Sequence, residues 1–125
     1  MPQYDDSRFS PAAPVANITL RVPESGAVLT EVPMLIDTGA DVTLLPQASV
    51  DLLGVEFNAG EAYQLEGFDG SISVSKVVRV DVIFGRKTFK GRFLLLDQEV
   101  GILGRDVLNN LRLILDGPRQ VWDEQ

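Results

Sequence analysis

The chain has no cysteine and no histidine among its 125 residues. Without cysteine there is no disulfide, no thiolate metal site and no cysteine nucleophile. Without histidine, Ser-His-Asp and Cys-His arrangements are impossible, and zinc held by imidazole is excluded with them. Among hydrolytic chemistries, one built on paired carboxylates remains. No apolar run approaches the ~18 residues that cross a bilayer as a helix. A hydrophobic content of 45% at this length fits one soluble globular domain. Positive charge is scarce as well, with 11 Lys and Arg against 18 Asp and Glu and a net charge of −7. Nucleic acid and anionic membrane are therefore not expected as main partners, since both are held by clustered Lys and Arg. A basic peptide is weakly favoured. The opening Met1-Pro2-Gln3-Tyr4-Asp5-Asp6 lacks the basic-then-apolar pattern of a secretory signal, so a cytoplasmic location is expected.

What is present is a single Asp37-Thr38-Gly39-Ala40-Asp41, preceded by the apolar Met34-Leu35-Ile36 and followed far downstream by Gly101-Ile102-Leu103-Gly104-Arg105-Asp106. An Asp that closes a buried strand sits at the edge of a low-dielectric core, where its charge is costly unless donors face it. Thr38 and Gly39 supply such donors, and the glycine allows the backbone to approach closely. One carboxylate does not hydrolyse an amide, because the reaction needs a base for the water and an acid for the leaving nitrogen. Two carboxyl groups sharing one proton perform both tasks, since charges about 3 Å apart cannot both ionise. The second Asp-Thr-Gly would then come from a second copy across a twofold axis.

These two elements and their spacing resemble the single-domain, retroviral-type (retropepsin-like) aspartic proteases over roughly residues 16–122. The resemblance implies a homodimeric aspartic endopeptidase acting on polypeptide, without metal or cofactor. It implies that Asp37 is catalytic, that Thr38 bonds across the dimer, and that Gly39 bonds the substrate backbone. Ala40 and Asp41 would line the cleft, and Arg105 would pair with Asp41 behind the site. The turn Gly67-Phe68-Asp69-Gly70 falls at the family's flap position, where it would close over substrate and exclude water. The chain departs from the family in lacking its glycine-rich flap and in a longer C-terminus. Two other outcomes fit the same residues: a non-catalytic protease-fold domain serving dimerisation or peptide binding, and a monomeric barrel with a fortuitous motif.

Along the chain, residues 1–13 lack periodicity and read as a flexible arm, with the protease domain over 14–125. Alternation predicts a strand over 16–22, a turn at Glu24-Ser25-Gly26, and a strand over 27–36. Pro46 suits the first position of a short helix over 47–53, which Gly54 closes. Further strands are predicted over 62–66, from Ile72 through Val82, and over 88–96, with a turn at Gly85-Arg86-Lys87. A short helix over 105–110 precedes a strand over 111–115, the turn Asp116-Gly117-Pro118 and a last strand at Val121-Trp122. Many short strands with two short helices predict an all-β, closed barrel-like acid-protease fold with one flap hairpin. Trp122 is assigned to the core, and the hairpin of residues 111–122 is the candidate dimer seam.

Overall fold

The alternation that marks the strands decides which face of each is buried. In the computed structural model, which describes residues 1–55, 62–66 and 72–125 (62–66 and 72–75 by backbone alone), β1 (Val15–Arg21) buries Ala16, Ile18 and Leu20. β2 (Val28–Ile36) buries Val32, Met34 and Ile36. β3 (Leu44–Pro46) runs directly into α1 (Gln47–Leu53), and Pro46 ends the strand instead of opening the helix. Gly54 closes α1 at φ 68°, a left-handed conformation that glycine adopts without strain. β4 (Ala62–Glu66) pairs antiparallel with β5 (Ile72–Phe84). β5 buries Val78, Val80, Val82 and Phe84 against β6 (Lys87–Leu96), whose end, Phe93 to Leu95, is buried throughout. β7 (Gly101–Leu103), α2 (Arg105–Leu108), β8 (Leu113–Asp116) and β9 (Val121–Glu124) complete the chain.

The main sheet runs β1-β2-β7-β3-β6-β5-β4, and an extra β1–β5 pairing closes its first six strands into a barrel. Closure depends on an irregularity in β2. Ile18 pairs with Val32 and Leu20 with Leu29, so Thr30 and Glu31 together face the single residue Thr19. Glu31 sits at φ 59° in this bulge. A bulge bends and twists its strand, and just there the far end of β1 takes β5 as a second partner through Thr19–Ile83, Leu20–Val82 and Arg21–Asp81. The predicted all-β barrel with two short helices is the fold observed. Its predicted flap, Gly67-Phe68-Asp69-Gly70, lies outside the described residues. α2 ends two residues before its predicted limit, because Asn110 and Leu111 donate to Val107 and Leu108 in turns that break the helix.

β8 and β9 form a separate two-stranded sheet whose Trp122 packs on Phe84, ring centroids 6.0 Å apart. At 7% exposure Trp122 belongs to the core. Residues 2–4 lie against this hairpin: Tyr4 N–H donates to the Gln120 carbonyl at 2.8 Å, and Trp122 N–H to that of Pro2 at 2.9 Å. Asp5 organises the segment. Its carboxylate accepts from the Ser7 N–H and hydroxyl, the Arg8 N–H and the Arg8 guanidinium, at 2.6 to 3.0 Å. The Arg8 backbone and side chain, then the Ser7 hydroxyl, hold the Asp5 carboxyl far below its ordinary value of 3.8. A depressed carboxyl adds stability above its unfolded value and loses it as pH falls toward the folded one. Asp5→Ala should therefore melt below wild type at neutral pH, with the gap narrowing as pH drops below about 4. Thermal unfolding of both proteins across that range checks this; a gap that stays constant to low pH would contradict it.

Candidate active site

Asp37 follows the last residue of β2, and its placement depends on β7. Met34, Leu35 and Ile36 pair in parallel with Gly101, Ile102 and Leu103. The ladder continues one step further, as Asp37 N–H donates to the Leu103 carbonyl at 3.1 Å. Asp37 is half-buried as a residue, and its carboxylate Oδ1 accepts from Gly39 N–H at 2.9 Å. Ala40 N–H returns to the Asp37 carbonyl at 3.2 Å and closes the turn. A Cβ on Gly39 would stand 3.2 Å from Asp37 Oδ1, so a side chain there would crowd the carboxylate. Thr38 and Gly39 are exposed beside it, and Ala40 is half-buried.

α2 supplies the other half of the frame. Arg105 N–H donates to the Ala40 carbonyl at 2.9 Å, and Arg105 Nη1 to the Thr38 carbonyl at 2.8 Å. The pairing of Arg105 with Asp41 expected from sequence is not among the ion pairs of the described residues. Asp41 is exposed to water, where an ion pair is worth about 0–1 kcal/mol. The guanidinium instead satisfies the Thr38 carbonyl in the Asp37 turn. Arg105 thus braces the loop that carries Asp37, through the backbone and not through Asp41.

Sequence reasoning gave no role to Thr43 and Asp106, which form the tightest cluster near the site. Thr43 is 1% exposed. Its hydroxyl donates to Asp106 Oδ1 at 2.6 Å and accepts from Gly104 N–H at 3.0 Å, while Thr43 N–H donates to Asp106 Oδ2 at 3.1 Å. Val107 N–H also reaches Asp106 Oδ1, at 2.9 Å. Hydrogen bonds to a charged acceptor contribute about 1.5–3 kcal/mol each, so this cluster locks the segment after the turn onto the start of α2. The available signal was a lone polar Thr43 inside the apolar run Val42-Thr43-Leu44-Leu45. Gly104 lies between the two braces, and a Cβ there would collide with the Val42 carbonyl. Of the other predicted site residues, Gly67, Phe68, Asp69 and Gly70 lie outside the described residues. Among the described residues no group of acidic side chains is placed to hold a metal ion.

A strand-borne Asp-Thr-Gly, braced by a Gly-Arg-Asp helix start within a closed six-stranded barrel, defines the retropepsin-like class of aspartic proteases. A family model described as aspartyl protease matches residues 19–107, and the chain belongs to that family. Among solved structures it is similar to EIAV protease complexed with the inhibitor HBY-793. That likeness has 28% sequence identity and a TM-score of 0.57, covering 78% of this chain and 86% of that one. No curated protein sequence matches. The chain is an aspartic-type endopeptidase with a retroviral-protease fold.

Proposed function

We propose that the active enzyme is a homodimer whose two copies of Asp37 form the catalytic dyad. The observation that carries this reading is the lone Asp-Thr-Gly: the chain has one such turn, with the half-buried Asp37 in it. Across a twofold axis the two carboxyl groups share a proton. The ionised member takes a proton from a bound water, whose oxygen attacks the peptide carbonyl. The protonated member gives its proton to the carbonyl oxygen, and the collapse of the tetrahedral intermediate delivers a proton to the leaving amine. Substrate lies extended, with its backbone bonded at Gly39 as an added strand, while Ala40 and Asp41 line the side pockets. Thr38, exposed beside Asp37, faces the partner copy.

The β8–β9 hairpin supports the same reading. Among the described residues β8 pairs with β9 alone, leaving its outer edge open. Ile114 and Leu115 on that strand are 39% and 49% exposed. An open edge bearing apolar side chains is a template for a second copy of itself, so we assign the seam to β8 against its symmetry mate. Activity per chain should fall as the protein is diluted through its dimer dissociation constant. Leu115→Lys, which sets like charges against each other across the axis, should move that fall to concentrations at least about tenfold higher. Sedimentation run alongside peptide cleavage tests both statements. Full activity in a chain that sediments as a monomer would sink the dyad.

A further inference from the structure

We propose that Asp41 makes the cleft selective for basic peptides, pairing with a substrate Lys or Arg on each side of the scissile bond. The proposal rests on the homodimeric reading above, in which substrate crosses both copies of the Asp37 turn. Asp41 closes the stretch Asp37-Thr38-Gly39-Ala40-Asp41 and is exposed to water. Among the described residues its carboxylate enters no ion pair and accepts no hydrogen bond. The cation nearest in sequence role, Arg105, is committed elsewhere: its Nη1 donates to the Thr38 carbonyl at 2.8 Å and so holds the backbone of the turn. Between Arg21 and Lys76 there is no Lys or Arg, although half of the chain's 18 Asp and Glu fall in that stretch. The residues outside the described set all belong to it, so none of them brings Asp41 a cation.

An exposed carboxylate is stable while water solvates it. A peptide laid along Gly39 and over Ala40 displaces that water, and an unpaired charge left beneath it is costly. A substrate Lys or Arg removes the cost by supplying both the opposite charge and N–H donors. A substrate Glu or Asp adds repulsion instead. Discrimination therefore comes from a penalty on the wrong side chain as well as from attraction of the right one. A twofold axis sets the second Asp41 at the symmetry-related position along the substrate, so the preference falls on both the amino and the carboxyl side of the bond that is cut. The overall charge of −7 draws in any cationic peptide from a distance, but only a fixed carboxylate selects particular positions within it.

To test this, the full chain digests a mixed peptide library and the cut sites are aligned by mass spectrometry. The best-cut sequence is resynthesised with Lys, norleucine or Glu at the enriched positions, and kcat/KM is compared. Wild type should favour Lys over norleucine by about fivefold, and about 0.5 M salt should shrink that ratio. Asp41→Asn should bring the ratio close to one on both sides of the bond, and Asp41→Lys should reverse it in favour of Glu. Glu24→Gln, which removes an exposed acid from the β1–β2 turn, should keep the wild-type ratio. Melting curves establish that each variant is folded. Cleavage without enrichment of Lys or Arg, or an enrichment that persists in folded Asp41→Asn, would overturn the proposal and leave the dyad standing. A parallel titration needs no cleavage: the Asp37→Asn chain binds fluorescein-labelled peptides of alternating Lys and Val, or norleucine and Val, read by anisotropy. The Lys peptide should bind more tightly, and adding Asp41→Asn should erase the difference. Equal affinity for the two peptides would overturn the proposal even if nothing is cut and the dyad falls with it.

Discussion

Asp37→Asn should abolish peptide cleavage while leaving the fold intact. Asparagine retains an Oδ1, which can accept the Gly39 N–H bond now made at 2.9 Å. The Asp37 N–H bond to Leu103 and the braces from Arg105 involve backbone atoms of the turn and survive the change. The melting temperature should consequently stay close to that of wild type. The chemistry has no such substitute, because an amide neither takes the proton of the attacking water nor returns one to the leaving nitrogen. General acid–base catalysis contributes about 10²–10⁴-fold for each role. In the proposed dyad the substitution removes both carboxyl groups, so a loss of at least about a thousandfold is expected. Digestion of a mixed peptide library at pH values from about 4 to about 7, read by mass spectrometry, measures it. Equal cleavage by wild type and variant would place the chemistry elsewhere.

The largest effect on stability is expected at Gly104, where space and not backbone conformation is limiting. Its φ of −91° is ordinary for any residue. An added Cβ would overlap the Val42 carbonyl oxygen and lie 2.5 Å from its carbon and 2.9 Å from the Val42 nitrogen. These are backbone atoms, held by Thr43 through its bonds to Asp106 and Gly104. They cannot swing aside as the end of a flexible side chain does. Overpacking of this kind costs about 3 kcal/mol, enough to lower the melting temperature of a domain this size by about 10 °C. Gly104→Ala should also lose activity well below its melting point, because relief of the clash separates α2 from the turn it braces. A variant melting with wild type would mean that this junction yields easily.

The Asp37 turn was legible because its signals are local: an apolar strand, then Asp-Thr-Gly. The barrel walls were legible for the same reason, since β1 and β5 alternate cleanly over the residues that become core. The irregularities were not. The bulge at Thr30 and Glu31 places a glutamate in a left-handed conformation where glycine is the usual sign, so residues 27–36 read as one unbroken strand. Thr43 and Asp106 meet across most of the sequence, and no periodicity signals such a pair. The family resemblance pointed Arg105 to Asp41, whereas its planar fork and the bends of the chain deliver it to the Thr38 carbonyl. The flap expectation at residues 67–70 concerns residues beyond those described.

The parallel pairing of β2 with β7 also governs when the site comes into being. Met34 is synthesised long before Gly101, and no tight turn joins parallel strands, so Asp37 leaves the ribosome without the Leu103 carbonyl that orients its backbone. Closing so long a segment is entropically costly and slows folding. Through most of translation the nascent polypeptide therefore contains Asp37 but not the strand beneath it, so the turn is framed only once nearly the whole chain has been made.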